Sequence, residues 1–411
     1  MSRTTYIFSL LFAFAYTAYA NPNTMVVQKA FKVTQVPSEH GSYVVSPEIP
    51  ADGIVPSGTE LTVTATATAG YSLDAIYYTF KGGPWGTLSV ESFEPTMKIT
   101  VDRDLDLGAV FVKNSLVENL NVTHDVVYAR PGKKPLKYDV FSPKGAHKLP
   151  MVIIVHGGGW SANNEDIMRG LARELAKDDR YVVFSIDYRW INNLDGDTEA
   201  NSMHQLIEDV FGAIVHIQEH ATKYGGDPDR IAVTGDSAGG HLSASAAVLC
   251  SLIGDGGFGI ADGVYQFAPT YIPKGKSMEE VRSRIMGAIK VAAPSYGLFS
   301  ASDFKPFIRQ EDQGYLDAIS PVAHVPSSAH RAIPHFMVRG TEDGLVTKNV
   351  VHPYVQELKE QGQTVQNIEV KGAGHAFFDW KPDAQTRKTF ERYGVPYAAK
   401  MKSFFDSVFY K

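Results

Sequence analysis

Hydrophobic and polar positions follow two different patterns along this chain, and the change falls near residue 120. In the first part, threonine alternates with small apolar residues at 59–68. A period of two is typical of a strand with one buried face. In the second part, the continuous apolar run at 151–155 is typical of a central strand buried on both faces. Apolar residues three and four apart, as at 203–217, predict helices between such runs.

These patterns predict two folded units. Residues 21–113 are predicted to form a small all-β module, because glycine and proline separate short apolar segments. Residues 120–411 are predicted to form an α/β domain with a doubly wound, mostly parallel sheet and helices on both faces. Residues 271–330 interrupt the alternation and are predicted to be a lid-like insertion. Strands are expected at 98–101, 107–112, 136–141, 151–155, 181–186, 230–234, 264–267, 335–339 and 367–370, and helices at 165–177, 203–217, 240–250, 350–361 and in the last residues to 411.

Composition narrows the classes of function. The chain has 411 residues, which favours two to three units. Its 39 basic and 45 acidic residues give a net charge of −6, so nucleic acid is not an expected partner. The single cysteine, Cys250, excludes an internal disulfide, a cysteine-rich zinc site and a CxxC redox motif, and is expected in the core. The oligomeric state is left open by composition.

The first twenty residues are predicted to be a signal peptide. Arg3 precedes an apolar run of about ten residues at 7–16, and Ala18-Tyr19-Ala20 has the small-x-small order of a cleavage site. A short buried helix is the alternative, but the order of charge, apolar run and small residues favours export. Ten apolar residues are too few to span a bilayer, which takes about 20. The mature protein is therefore expected to be secreted or periplasmic, without a membrane span.

The main candidate for catalysis is Ser237 in the sequence Gly235-Asp236-Ser237-Ala238-Gly239. This G-x-S-x-G pattern lies between a predicted strand and a predicted helix. In that context it indicates a strained turn that exposes the serine oxygen. A glycine-rich turn with an idle serine is the alternative reading.

A second glycine motif, His156-Gly157-Gly158-Gly159-Trp160, directly follows the apolar strand at 151–155. Three glycines allow backbone N–H groups to point into a cleft, as a developing oxyanion requires. A phosphate-binding loop is the alternative. It is disfavoured because no G-K-[ST] follows and because Glu165-Asp166 would repel a phosphate.

A serine nucleophile needs a base that is oriented by a carboxylate. Of the thirteen histidines, His375 lies in a loop just after the last predicted strand, and Asp343 follows the strand at 335–339. The order Ser237, Asp343, His375 is that of the α/β-hydrolase fold. Rival acids are Glu342, Asp317 and Asp379.

These motifs identify a resemblance. Residues 122–411 resemble the α/β-hydrolase superfamily, and HGGGW at 156–160 with GDSAGG at 235–240 is similar to the hormone-sensitive-lipase-like carboxylesterases. The resemblance implies Ser237 as nucleophile with Asp343 and His375 as its partners. It also implies an oxyanion hole formed by the backbone N–H groups of Gly158, Gly159 and Ala238.

One stretch departs from that pattern and narrows the resemblance. Asp187-Tyr188-Arg189 matches the family, but Trp190-Ile191-Asn192 replaces its usual continuation. This change makes the chain more similar to the secreted feruloyl- or acetylxylan-esterase-like branch.

The first part of the chain carries a separate resemblance. Residues 58–73 and 100–112 resemble the bacterial internalin-type B-repeat, which implies an extracellular location or adhesion. The module shows no cluster of histidine, cysteine or paired carboxylates. It is therefore expected to act as a spacer or weak binder and to be dispensable for hydrolysis of a small ester.

The predicted function is a serine carboxylic-ester hydrolase that acts through an acyl-enzyme, without metal or organic cofactor. Short-chain or hydroxycinnamoyl esters are the expected substrates, including acetyl or feruloyl groups on plant polysaccharide. A serine peptidase or amidase of the same fold and a non-catalytic surface-binding protein are the alternatives. Trp160 and Tyr271 are predicted substrate contacts. The aromatic residues of the insertion either stack on substrate or form an ordinary hydrophobic core: Tyr271, Tyr296, Phe299, Phe304, Phe307 and Tyr315.

Overall fold

The structure, a computed structural model, describes residues 29–82, 87–308 and 312–411. The predicted signal peptide at 1–20 lies outside these residues, as does the start of the predicted β-module. In the described part, no helix is long and apolar enough to cross a membrane.

The first unit consists of two β-sheets. Its threonine-rich strand buries Leu61, Val63 and Ala65 on one face and leaves the threonines on the other, as the period of two predicts. These side chains pack with Leu107 and Phe111 into a core of their own. One sheet contains β1 (Ala30–Gln35), β3 (Ile54–Pro56), β5 (Tyr71–Lys81), β6 (Thr87–Ser92) and β8 (Leu105–Lys113) in the order β3-β1-β8-β5-β6, and the other contains β2 (Gly41–Ser46), β4 (Glu60–Ala67) and β7 (Thr96–Thr100) in the order β2-β4-β7.

The second unit is a twisted sheet covered by helices on both faces. In the described residues it has eight strands in the order β16-β15-β14-β13-β11-β12-β10-β9, and β10 runs antiparallel to its neighbours. The central strand β11 is buried along its apolar run, with Met151 to Val155 each 0% exposed. The strands are β9 (Leu120–Ala129), β10 (Leu136–Pro143), β11 (Leu149–Val155), β12 (Val182–Ile186), β13 (Gly226–Asp236), β14 (Ile289–Ser295), β15 (His335–Gly340) and β16 (Val365–Val370). The helices are α1 (Arg169–Ala176), α2 (Met203–His220), α3 (Ala238–Val248), α4 (Met278–Ala288), α5 (Ala301–Phe304), α6 (Gln313–Ala318), α7 (Lys348–Glu360), α8 (Ala384–Thr389) and α9 (Val395–Phe409).

One region of this sheet differs from the sequence prediction. Residues 264–267, expected to be a strand, form only isolated bridges from Tyr265 and Phe267. The strand next to β13 is instead β14, which lies inside the predicted insertion at 271–330. The sequence pattern does not predict β14 as a strand, because its alanines and Pro294 belong to residue types that are depleted in strands. The insertion is therefore confined to the segment between β14 and β15, which carries α5 and α6.

The β-module and the α/β domain share a buried ion network that sequence reasoning missed. The Asp74 carboxylate on β5 accepts hydrogen bonds from Arg169 and Arg173 of α1, the former at 3.0–3.2 Å. It also accepts one from the indole Nε1 of Trp380, at 2.8 Å. Burial alone would raise the pKa of Asp74, but the two guanidinium groups hold it well below its ordinary value. A β-module that served only as a spacer would not need these buried contacts with the α/β domain.

Candidate active site

The candidate catalytic residues lie where parallel strands end. Ser237 follows β13, and Gly158 lies just beyond β11, its neighbour in the sheet. Asp343 and His375 follow β15 and β16. The carboxyl ends of parallel strands meet at one edge of the sheet, where ligands of open α/β sheets bind.

Ser237 occupies a strained turn between β13 and α3. Its φ of 53° and ψ of −117° are unfavourable for a residue with a side chain. The turn also brings two strand ends so close that a Cβ at Gly239 would collide with the carbonyl oxygen of Val155. The G-x-S-x-G spacing is therefore a steric requirement of this turn.

His375 connects the serine to a carboxylate. Its Nε2 lies 2.8 Å from Ser237 Oγ, and its Nδ1 lies 2.7 Å from Asp343 Oδ2. The other oxygen of Asp343 accepts hydrogen bonds from the N–H groups of Leu345 and Val346, at 2.9 and 2.7 Å. Burial would raise the pKa of Asp343, but the hydrogen bonds from His375 and the two amides lower it below its ordinary value. The carboxylate therefore stays ionised beside the imidazole.

Two of the rival acids, Glu342 and Asp317, are exposed, and the third, Asp379, is paired with Asp236. Glu342 is exposed, although it is adjacent to Asp343 in the chain. Asp317 is also exposed and accepts a hydrogen bond from Gln313 on α6. Asp343 is the acid that the structure places against the ring of His375.

The glycine loop after β11 presents free N–H groups. Gly158 and Gly159 have φ values of 117° and 58°, and their N–H groups donate no backbone hydrogen bond among the described residues. Ala238 is the first residue of α3, so its N–H has no acceptor within the helix. A Cβ at Gly158 would collide with the carbonyl oxygen of Ala162, which explains the glycine there. These three groups are available to a negatively charged oxygen.

Buried contacts of His156 and Tyr188 hold the glycine loop in place. His156 is fully buried, stacks on Tyr188 at 4.3 Å and places its Nε2 3.2 Å from Asp187 Oδ1. The hydroxyl of Tyr188 donates to the carbonyl of His156 at 3.0 Å. The Asp187-Tyr188-Arg189 motif therefore supports the candidate oxyanion loop from below.

The two predicted substrate contacts have other partners. Trp160 is 1% exposed and packs edge-on against His241, Phe304 and Phe307, so it belongs to the core beneath the loop. Tyr271 lies against α2, where its hydroxyl donates to Glu219 and its ring contacts His216. Core packing therefore holds Trp160, and contacts with α2 hold Tyr271.

The insertion aromatics also pack internally. Phe299 stacks on Tyr354 of α7 at 4.5 Å, and Phe304 is fully buried. Tyr296 is buried with its ring 5.1 Å from that of His375. Of the two alternatives, an ordinary hydrophobic core fits these three residues.

A buried carboxyl pair next to the nucleophile was missed by sequence reasoning. Asp236 and Asp379 are both buried, and burial together with their mutual repulsion raises the pKa of Asp236 well above its ordinary value. Burial also raises the pKa of Asp379. Burial therefore favours the protonated form of these carboxyl groups. Asp379 is 143 residues further along the chain than Asp236, so no local pattern links the two.

One group of described residues has the donors for a metal ion. Ligand atoms of His124, Asp139 and Asp166 lie within 4.8 Å of one another. His124 Nδ1 is already 2.6 Å from Asp139 Oδ2, and its ring stacks on Phe93 of the β-module at 3.9 Å. The group belongs to the contact with the module and contains none of the strand-end residues around Ser237.

The same contact borders a large cleft. It has a volume of about 1050 Å³ and lies between β6 of the module and the α/β domain. Asn163 and Trp190 line it on the side of the candidate oxyanion loop, and Trp380 lines it on the side of the loop that carries His375. We call this space the module cleft.

Known proteins match the α/β domain. Residues 138–255 match the family model named BD-FAE. The probable carboxylic ester hydrolase LipM of Mycobacterium tuberculosis is 28% identical over 249 residues, which are 56% of this chain and 49% of that protein. Esterase LipQ of the same organism is 26% identical over 62% of this chain and 57% of its own length. The chain thus spans about half the length of these curated relatives.

Among solved structures, an esterase from the Planctomycetes species Thermogutta terrifontis, with butyrate bound, aligns with a TM-score of 0.50. It is 20% identical, and the match covers 71% of this chain and 96% of that one. The second unit has the α/β-hydrolase fold. The predicted fold class, including the small all-β module before the α/β sheet, is confirmed.

Proposed function

We propose that the chain is a serine carboxylic-ester hydrolase that acts through an acyl-enzyme. The observation that carries the proposal is the continuous contact from Ser237 Oγ through His375 to Asp343, at 2.8 and 2.7 Å. A serine hydroxyl becomes nucleophilic when such a base accepts its proton. The esterase names of the relatives support the same class of reaction.

The reaction follows from the positions of these groups. Ser237 Oγ attacks the ester carbonyl carbon while its proton moves to Nε2 of His375, and the Asp343 carboxylate stabilises the imidazolium. Negative charge develops on the carbonyl oxygen, to which the N–H groups of Gly158, Gly159 and Ala238 donate. The bond to the alcohol oxygen then breaks, and His375 returns its proton to the leaving alcohol.

The second half of the cycle regenerates the serine. His375 takes a proton from water, and the resulting hydroxide attacks the acyl-enzyme carbonyl. The ester bond to Ser237 breaks, the carboxylic acid leaves, and His375 reprotonates Ser237 Oγ. Atoms and protons balance without a redox step.

For the substrate, we propose short acyl or hydroxycinnamoyl groups, such as acetyl or feruloyl groups on plant polysaccharide. The sequence Trp190-Ile191-Asn192 supports this choice through its resemblance to the polysaccharide-esterase branch. We also propose that the protein is exported to the periplasm or the medium, from the character of residues 1–20.

The test is an activity panel with matched serine variants. Wild-type protein should hydrolyse p-nitrophenyl acetate and butyrate, with a steep fall in kcat/KM towards octanoate, since each misfit methylene costs about 1–3 kcal/mol. Ser237→Ala should lower kcat by a factor on the order of 10⁶. Ser243→Ala, on the same helix with its hydroxyl bound to the carbonyl of Gly240, should stay near wild type.

Acid quenching during turnover gives a second readout. Mass spectrometry should find an acetyl group on the peptide that contains Ser237. Faster cleavage of p-nitroacetanilide than of p-nitrophenyl acetate would favour an amidase instead. A folded wild-type protein that cleaves neither compound would favour a non-catalytic binding protein.

A further inference from the structure

The β6 strand of the module forms one wall of the module cleft. Side chains alternate along a strand, so Ser89 and Glu91 share one face, and the Ser89 hydroxyl donates to Glu91 at 3.1 Å. Glu91 binds Arg169 of α1 at 2.6 Å, and Phe93 stacks on His124 of β9, so this face is turned towards the α/β domain. Ser89 is exposed and lines the cleft. The edge of the module is therefore presented to whatever enters there.

The opposite wall is connected to the candidate oxyanion loop. The Asn163 side-chain amide donates to the carbonyl of Gly157 at 3.4 Å, and the Asn163 carbonyl accepts the indole N–H of Trp190 at 3.0 Å. Asn163 and Trp190 both line the module cleft. A molecule in the cleft therefore lies beside residues that contact the candidate oxyanion loop.

A third wall is connected to the loop that carries the base. Trp380 lies five residues after His375 and lines the cleft. Its backbone N–H donates to Ile167 at 2.8 Å, and its indole donates to Asp74 of the module at 2.8 Å. The cleft is therefore lined by residues next to the candidate oxyanion loop, by Trp380 of the loop that carries His375, and by the β-module.

The lining of the cleft fits a neutral molecule rich in hydroxyl groups. Its lysines are already paired: Lys134 binds Asp187 at 2.8 Å, Lys137 binds Asp125 at 2.6 Å, and Lys381 lies 3.7 Å from Asp379. An anionic ligand would find no free cation among these lysines. Amides, hydroxyls and carboxylates instead offer both donors and acceptors, and tryptophan offers a flat apolar face. The lining includes Ser89, Ser92, Asn163, Asn164, Trp190 and Thr386.

The size of the cleft points to an extended ligand. Pockets for small molecules have volumes of about 300–1,000 Å³, and this cleft has about 1050 Å³. A short acyl group needs far less space. The alcohol part of the ester is therefore the part of the substrate that fits the cleft.

We propose that the module cleft binds the oligosaccharide chain that carries the ester, with β6 of the β-module as one wall of that binding site. This inference rests on the proposed esterase function and deepens it by giving the module a part in substrate selection. The module then distinguishes an ester on a sugar chain from the same acyl group on a small alcohol.

The experiment compares two substrates across full-length variants. Ser89→Trp places a large side chain in the cleft, and Val44→Trp places the same side chain on the other sheet of the module, at a position that is 67% exposed. The substrates are acetylated xylohexaose and p-nitrophenyl acetate, and the readout is the ratio of their kcat/KM values.

For Ser89→Trp we expect this ratio to fall at least ten-fold, while Val44→Trp keeps the ratio of the wild type. Calorimetric titration of unacetylated xylohexaose into Ser237→Ala should show binding, which Ser89→Trp in the same background should weaken at least ten-fold. An unchanged ratio in Ser89→Trp, or no binding of xylohexaose, would overturn the inference while leaving ester hydrolysis intact. Failure to cleave either ester would instead overturn the proposed function.

Discussion

At the scale of single residues, the carboxylate beside His375 determines which ring nitrogen carries the proton. Asp343 Oδ2 is 2.7 Å from Nδ1, so Nδ1 donates to it and Nε2 is left to accept the serine proton. Asp343→Asn should lower kcat by a factor on the order of 10⁴, because an amide favours the wrong tautomer.

The adjacent acid provides a matched control for that prediction. Glu342 is exposed, and Glu342→Gln should leave kcat close to wild type. Steady-state kinetics on p-nitrophenyl acetate measures both variants. If Glu342→Gln were the damaging change and Asp343→Asn the mild one, the two roles would be exchanged.

A second residue gives a pH-dependent stability. Burial raises the pKa of Glu208 to about 7, and its hydrogen bond from the Ala268 N–H opposes this only in part. An unfolded glutamate has a pKa of about 4.3. The folded protein therefore holds this proton more tightly, so the stability it contributes is present below about pH 4 and is lost as the pH rises towards 7.

Glu208→Gln should remove that loss, because glutamine stays neutral and keeps an oxygen for Ala268. We expect its melting temperature to exceed that of wild type by a few degrees at pH 8 and to match it at pH 4. Calorimetry at the two pH values measures this, with the exposed Glu199→Gln as the control. A gain of the same size at both pH values would count against an ionisation effect.

The residues around Ser237 were predictable because each of them follows its own strand in a short motif. The two glycine motifs and the loop positions of Asp343 and His375 can be read from short stretches of sequence. The sheet then brings these stretches together. Asp379 and Trp160 were not predictable in the same way. Their surroundings are built by residues far along the chain, which a local pattern does not report.

At the scale of elements, the contact between β5 and α1 depends on one carboxylate. Removing one partner of a buried ion pair leaves uncompensated charge, at a cost of about 3–5 kcal/mol. Asp74→Asn removes the carboxylate that Arg173 binds, while Arg169 keeps its contact with Glu91, and the two arginine side chains are only 5% and 1% exposed. We expect a loss of unfolding free energy of about that size in urea denaturation.

An exposed ion pair of the same module serves as the control. Asp102 and Arg103 are 2.7 Å apart with both side chains at least half exposed. Asp102→Asn should change the denaturation midpoint little, because solvent screens exposed pairs. Equal effects of Asp74→Asn and Asp102→Asn would show that the network at α1 adds nothing to stability.

Elements whose hydrophobic residues follow a clear period or run were predicted correctly, and an element without such a pattern was not. The apolar run of β11 and the alternation in β4 predicted strands that the structure contains. β14 was taken as part of an insertion, because Ala292, Ala293 and Pro294 carry little strand preference. What makes it a strand is its pairing with β13 and β15, a tertiary property.

At the scale of the whole molecule, the module is part of the folded unit that contains the candidate site. The sequence predicts that deleting residues 21–113 leaves activity on a small ester within a few-fold. The structure leads us to expect the opposite: a truncated protein that aggregates, or that loses at least ten-fold in kcat/KM on p-nitrophenyl acetate. We expect this loss because Arg169, Arg173 and Trp380 no longer have the Asp74 carboxylate that they share.

Expression of residues 114–411 with circular dichroism and kinetics tests this expectation. A companion truncation that also carries Arg169→Gln and Arg173→Gln relieves the unpaired charge and should be more soluble. A stable, fully active single truncation would return the module to the role of a spacer.

The partners of Asp74 become available one after another during synthesis of the chain. Arg169 follows Asp74 by 95 residues, and Trp380 follows it by 306. At about 5–20 residues per second, the ribosome delivers the first partner roughly 5–19 s after the carboxylate and the last roughly 15–61 s after it. During that interval the nascent module keeps Asp74 in water. A chain halted before Arg169 therefore carries this carboxylate without either of the guanidinium groups that bind it in the finished fold.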